Sequence, residues 1–249
     1  MSLNLKGEGG RQDIFGERFT VKVDTSECVS MVDGFDRTLL DDCWRYKDCT
    51  FESGKIYGLV SEYGQGGMYL SHLLGGRLEF QKVKIYCNDV PVTQNDLNDV
   101  GWNLESSNEP YGKKEIRKTI EKALAHSGGG ETFMSVAERF LLTPERYDRR
   151  FRNLSGERWR ASAAYGYALG KRIFFAPYET SKFYHHMCQS ALLKALRELA
   201  GNGGLVVLPV GSDKFIKHIA DEVIYLDPEY DIDELKSFYT EEYCGEWIH

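Results

Sequence analysis

The run from Ile56 to Arg77, IYGLVSEYGQGGMYLSHLLGGR, constrains this chain more than any other. Five apolar-rich residues, Ile56 to Val60, predict a short buried strand. A glycine-rich turn follows, with Gly64, Gly66 and Gly67. Then Leu70, Leu73 and Leu74 recur at helical spacing, and Gly75-Gly76 ends the helix. Strand, glycine turn and helix in this order form the layout of a phosphate-binding loop, whose backbone N–H groups point at an anion. The layout is present but its chemistry is altered. Such a loop carries Lys and then Ser or Thr after its last turn glycine; here Gly67 and Met68 stand there. Glu62, inside the loop, would repel phosphate if it pointed inward.

A chain of 249 residues with 42% hydrophobic content can bury one large core or two small ones. The net charge of −7 argues against a nonspecific nucleic-acid binder, which is usually basic. No run approaches the length of a membrane span. The polar, glycine-rich start, MSLNLKGEGGRQD, does not read as a signal peptide. The six cysteines, Cys28, Cys43, Cys49, Cys87, Cys188 and Cys244, form no C-x-x-C pair and read as reduced, buried thiols of a cytosolic protein.

Along the chain, residues 1–16 read as a loosely ordered lead. FTVKV at 19–23 alternates as a strand, and Lys82 to Cys87 is another, closed by an Asn88-Asp89 turn. From Gln94 the composition shifts. Residues 113–142 are charged and helical, split by glycines at 128–130, and Thr143-Pro144-Glu145 predicts a helix start. The stretch 95–153 therefore reads as a helical subdomain inserted into a sheet-based core made of 17–94 and 154–249. Beyond it, Ala161 to Leu169 predicts a buried helix. Ile173 to Ala176, Leu205 to Val210 and Val223 to Leu226 predict buried strands, separated by helices at 188–199 and 215–220. Continuous apolar strands alternating with helices indicate an α/β core with a mainly parallel sheet. The acidic tail from Asp227 is expected to be helical at 233–239.

Three of these features stand in a fixed order: the strand–loop–helix at 56–74, Leu154-Ser155-Gly156-Glu157-Arg158, and two later buried strands, the second leading into Gly211-Ser212-Asp213. In this order the chain resembles the ATP-binding subunits of ABC transporters from about residue 17 to 226. Gly58 to Gly76 is similar to that family's GLVGxNGxGKSTLxxxLxG, and Leu154-Ser155-Gly156 to its LSGGQ signature. The resemblance implies a P-loop NTPase-like α/β core, an antiparallel β edge and a helical subdomain. It places the nucleotide loop at Ser61, Gly64, Gln65, Gly66, Gly67 and Met68. The signature, at Leu154, Ser155, Gly156 and Glu157, would face a nucleotide held by a partner subunit.

Carried over residue by residue, the family's catalytic groups are missing. The Lys and hydroxyl positions fall on Gly67 and Met68. The Asp–Glu pair that ends a buried strand falls on Ala176 and Pro177, and the His that meets the γ-phosphate falls on Ser212. The metal-contacting Gln falls near Leu104 or Glu105. Phe35 is the candidate for stacking on adenine. Loss of the Lys weakens phosphate binding by roughly tenfold to a hundredfold. Met68 and Ala176 offer no oxygen to Mg²⁺, a hard cation. Loss of the general base costs about 10² to 10⁴ in rate. The implied protein binds ATP weakly, holds Mg²⁺ poorly and has no catalytic residue of its own. The resemblance implies a subunit at the inner face of the membrane, paired with an intact ATPase subunit and a permease, or with a second copy of itself. The alternative is a nucleotide-independent interaction or regulatory module on the same scaffold.

Other candidates read more simply. His185, His186, Cys188 and Glu179 match no common zinc spacing. Trp44, Trp102, Trp159 and Trp247 read as packing residues, and KKEIRKTIEK at 113–122 as a solvated helix face with i,i+4 pairs.

Overall fold

The computed structural model describes residues 12–28, 49–61, 66–80, 82–128, 130–187 and 190–226. Glu62, Gly64, Gln65, Phe35, Cys43, Cys188, Cys244, Trp44, Trp247 and the acidic tail lie outside the described residues.

The chain enters through a 3-10 turn, Gln12–Phe15, inside the stretch expected to be loose. Phe15 is buried and meets Phe19 edge-on, with ring centroids 5.4 Å apart. Strands β1 (Thr20–Asp24), β2 (Cys49–Glu52), β4 (Lys84–Cys87) and β5 (Val90–Pro91) form an antiparallel sheet in the order β2-β1-β4-β5. Asn88 and Asp89 both adopt positive φ in the β4–β5 turn, a conformation these two residue types tolerate better than most.

A second sheet, fully parallel, has the order β6-β7-β8-β3-β9. Its strands are β3 (Ile56–Val60), β6 (Gly101–Asn103), β7 (Ile173–Phe175), β8 (Leu205–Val210) and β9 (Glu222–Tyr225). Both of its faces are covered, which is why the central strands are apolar at nearly every position. Tyr57, Leu59, Ile173, Phe175, Leu205 and Val207 face the antiparallel sheet and helix α1 (Gly67–Leu74). Ile56, Trp102, Phe174, Val206, Leu208 and Val210 face the helical side.

The helical side holds α3 (Ile116–Ser127), α4 (Phe133–Arg139), α5 (Arg158–Ala168) and α7 (Ser190–Gly201). Helix α5 packs against α3 and α7, and its small residues allow the approach. A Cβ on Gly166 would lie 2.5 Å from the Trp102 ring. That ring stacks on Tyr111 at 4.8 Å and donates its indole N–H to the Ser162 carbonyl at 2.9 Å. Trp102 and Trp159 are thus packing residues.

Three expectations shift. Residues 95–103, assigned to the helical insertion, fall in α2 (Gln94–Val100) and the edge strand of the parallel sheet. The polar run at 93–96 is a capping box: Thr93 N–H donates to Asp96 Oδ2 at 2.8 Å, and Asp96 N–H to Thr93 Oγ1 at 3.3 Å. It marks a helix start, which composition alone made look like a domain boundary. Before α7 stands a separate short helix, α6 (Ser181–Met187). The helix expected at 215–220 begins earlier, as α8 (Asp213–Ile216), with Ser212 as its N-cap residue.

Candidate functional site

The carboxyl ends of β3, β7 and β8 meet at one edge of the parallel sheet, where α/β folds hold ligands. Ser61 follows β3, is buried, and its N–H donates to the Val210 carbonyl at 3.1 Å. Its Oγ has no hydrogen-bond partner among the described residues. Gly66 caps α1 with φ of 88°, a left-handed value that favours glycine, and its carbonyl accepts from Leu70 N–H at 2.8 Å. At Gly67 an added Cβ would stand 2.4 Å from Ser61 Oγ. A side chain at 67 would therefore require the Ser61 hydroxyl to rotate away.

Met68 is 49% exposed and contributes its carbonyl rather than its side chain. That carbonyl accepts from Ser71 Oγ at 2.8 Å and from His72 Nδ1 at 2.9 Å. Burial holds the His72 imidazole below its ordinary pKa, against the pull of that hydrogen bond, and its ring meets Phe175 edge-on at 5.2 Å. Ser71 Oγ also lies 3.4 Å from the Ala176 carbonyl, which ties α1 to the end of β7.

Ala176 is fully buried, and its N–H donates to Val207 at 3.2 Å. Neither it nor Pro177 presents an oxygen side chain. The next residue, Tyr178, was not singled out in the sequence. Its hydroxyl donates to the Ser61 carbonyl at 3.0 Å. The same oxygen would lie 2.6 Å from a Cβ on Gly211. The phenol thus spans from the end of β3 to the residue after β8, across the sheet edge. Ser212 approaches Ser181 Oγ through both its hydroxyl and its carbonyl, the latter at 3.3 Å. Asp213 accepts from the Tyr225 hydroxyl at 2.9 Å. Tested against a nucleotide with a divalent cation, these side chains do not fit. Met68 and Ala176 supply no ligand, Ser71 Oγ is engaged by the Met68 carbonyl, and no cation stands at 67.

Leu104 and Glu105 continue from β6. Leu104 N–H donates to the Phe175 carbonyl at 2.8 Å. Glu105 turns toward α5 and accepts from Arg158 Nη2 at 2.7 Å, Trp159 Nε1 at 3.1 Å and Ser107 N–H at 2.8 Å. Burial raises its pKa, but the hydrogen bonds from Ser107, Arg158 and Trp159 outweigh that and hold it below the ordinary carboxylate range. Glu179 behaves oppositely: burial, then the charge of Glu105, pushes its carboxyl up. Two carboxylates and Arg158 therefore form one electrostatic cluster between the sheet edge and the start of α5.

The 154–157 turn divides by side chain. Leu154 is buried, while Ser155 and Gly156 are exposed, and among the described residues no heavy atom lies within 4 Å of a Cβ placed on Gly156. The turn leads directly into α5, an end that favours anions. Glu157 points the other way. It is 2% exposed and accepts from Thr143 N–H at 2.6 Å, Thr143 Oγ1 at 2.8 Å and Arg146 Nη1 at 3.0 Å. Its carboxylate thus serves the 143–146 turn, and of the four residues expected to face a partner's nucleotide only Ser155 and Gly156 are presented to solvent. His185, in the cluster considered for zinc, packs on the Phe215 ring at 4.5 Å.

No family model matches this sequence, and no curated protein matches it. Solved structures do match in fold. An ATP-binding cassette of an ABC transporter in its ADP conformation is 10% identical, with a TM-score of 0.60 over 90% of this chain and 96% of that one. The cbiO1 protein of Clostridium perfringens, part of the ABC transporter complex cbiONQ, is 14% identical, with a TM-score of 0.60 over 83% of this chain and 84% of that one. A dimeric bacterial ABC transporter cassette is 13% identical, with a TM-score of 0.61 over 83% and 94%. The chain has the P-loop NTPase-like fold of ABC ATP-binding cassettes. Among the described residues no helix is long and apolar enough to cross a membrane.

Proposed function

We propose that this chain is a non-hydrolysing subunit that pairs with an intact ABC-type ATPase subunit and, through it, with a membrane permease. The observation that carries the reading is a contrast between two ends of helices. At the start of α1, Gly67 lies against Ser61, and the side chains of Met68 and Ala176 offer neither cation nor metal ligand. At the start of α5, Ser155 and Gly156 are exposed, with open space over the glycine among the described residues. The chain's own nucleotide site is degenerate, with weak ATP binding that gains little from Mg²⁺, while the 155–156 turn caps the γ-phosphate held by the partner. The dimeric state of one cassette of this fold and the membership of another in a transporter complex support such pairing. The subunit sits in the cytoplasm, held at the membrane by its partners.

The test is co-expression with an intact cassette, followed by co-purification and ATPase assay with wild type and Ser155→Arg. The pair should form in both cases, and the arginine should abolish its turnover. Equal turnover of the two pairs overturns the proposal. The inward Glu157 favours a second reading, an interaction module that uses the fold without nucleotide. Titration calorimetry with ATP on this chain alone, with and without Mg²⁺, together with the turnover of the Ser155→Arg pair, separates the two: weak binding and lost turnover support the first, no binding and unchanged turnover the second.

A further inference from the structure

We propose that the acidic stretch 227–249 docks on the chain's own α6–α8 surface, where lysines and histidines surround half-buried aromatic rings. Charge is distributed unevenly along the chain. Residues 227–249 hold eight Asp and Glu against one Lys, so this stretch alone carries the whole net charge of −7, and residues 1–226 balance to zero. It also holds Tyr230, Phe238, Tyr239, Tyr243 and Trp247, which a purely solvating charge run lacks. A surface that suits it must therefore be basic and must offer aromatic area. The stretch also starts beside such a surface. Leu226 is buried and its N–H donates to the Val60 carbonyl at 2.9 Å. The Tyr225 ring is 61% exposed, and its hydroxyl reaches Asp213, the first residue of α8, at 2.9 Å. Residue 227 is thus released next to α8. The 23 residues from there span about 35 Å even if wholly helical, well beyond the seven-residue length of α6.

Residues 181–187 and 213–220 hold three Lys and three His against one acidic residue, Asp213. Lys182, His185, His186, Lys214, Lys217 and His218 are all exposed. The two elements lie against each other: the His185 ring packs on Phe215 at 4.5 Å, and Ser181 Oγ donates to the Ser212 carbonyl at 3.3 Å. Tyr184 fixes the inner side of α6, with its hydroxyl donating to the Pro209 carbonyl at 3.3 Å. Lys182, His185 and His186, three and four residues apart, share the outer side. Phe183 and Phe215 are half-buried there. The carboxylates around this surface are already engaged: Asp213 by Tyr225 and, at 4.0 Å, by Lys217; Asp221 by Arg197 at 2.5 Å; Glu222 by Lys55 at 2.5 Å. Lys182 and Lys214 form no ion pair among the described residues. The lysines carry charge, and even a neutral imidazole has an N–H to donate to a carboxylate. A single exposed ion pair contributes little. Several together suffice here, because the covalent tether supplies an effective concentration of about millimolar order. The inference is independent of the nucleotide reading, and neither nucleotide nor a second subunit enters its test.

The experiment uses the full chain and its own Cys244. A reagent with a maleimide at one end and a succinimidyl ester at the other joins that thiol to whichever lysines lie near it, read by peptide mass spectrometry at several protein concentrations. Crosslinks to Lys182, Lys214 or Lys217 should form at a yield independent of protein concentration and should decline as salt rises. Amide hydrogen exchange is the second readout. Asp231→Asn, Asp233→Asn, Glu234→Gln, Glu241→Gln and Glu242→Gln together should speed exchange in α6 and α8 about fivefold and leave β7 and β8 unchanged. Lys182→Glu with Lys214→Glu should do the same. Adding Glu241→Lys and Glu242→Lys to that charge-reversed chain should restore slow exchange, a rescue that mere misfolding would not give. The proposal is overturned if Cys244 crosslinks to lysines elsewhere on the chain, if its crosslinks form only between two chains, or if neutralising the stretch leaves exchange in α6 and α8 unchanged.

Discussion

The hydroxyl of Tyr178 donates to the carbonyl of Ser61 across 3.0 Å, joining the end of the first core strand to the loop after the third one in chain order. The phenol lies over the sheet edge where this fold holds its ligands. Tyr178→Phe removes that hydrogen bond and should lower stability by about 1 kcal/mol, read as a shift in the urea midpoint with an unchanged slope. Gly211→Ala should cost more, because the added methyl meets the Tyr178 oxygen at 2.6 Å. Combining it with Tyr178→Phe, which takes that oxygen away, should recover much of the loss.

Gly67 and Ser61 are coupled by the same kind of contact. Gly67→Ala brings a methyl to 2.4 Å from Ser61 Oγ and should destabilise by about 1–3 kcal/mol. Ser61→Ala alone should be close to neutral, since the Oγ it deletes has no partner among the described residues. The double variant should recover most of the loss. A thermal double-mutant cycle measures this coupling, and additive effects would contradict the packing account.

Glu157 is a buried acceptor for Thr143 and Arg146. Glu157→Ala leaves both donors unpaired and should cost about 3–5 kcal/mol, with chemical denaturation as the readout. Glu157→Gln keeps the shape and part of the bonding and should cost less. Equal losses for the two variants would show that packing, rather than the carboxylate, matters at this position.

Glu105 gives the stability a signed pH dependence. Its folded-state pKa is depressed by the hydrogen bonds from Ser107, Arg158 and Trp159, which outweigh burial. The resulting stability is present above its unfolded value of about 4.3 and is lost as pH falls through the folded value. Glu179, with its carboxyl pushed up, contributes in the opposite sense: its contribution to the folded state is full below the unfolded value and is lost as pH rises through the raised folded value. Glu105→Gln should flatten the acid limb of a melting-temperature profile below about pH 4.3. An unchanged acid limb would show that the Arg158 cluster adds nothing to folding.

The sequence by itself determined the apolar core strands β3, β7, β8 and β9, the parallel character of the core sheet and the turn at Gly66, but not β6, α2 or α6. Each follows from local chemistry: apolar runs need two covered faces, and left-handed backbone favours glycine. It also showed which residues stand at 67, 68, 176 and 177. Tertiary structure decided where the side chains went. Tyr178 reaches a carbonyl 117 positions away, Glu157 turns inward to a turn 14 positions back, and residues 101–103 join a sheet whose next strand begins at Ile173. Periodicity reports what one segment prefers. Hydrogen-bond partners and strand neighbours are chosen among distant segments by which buried polar groups must be satisfied together, and that selection exists only once the chain has closed on itself.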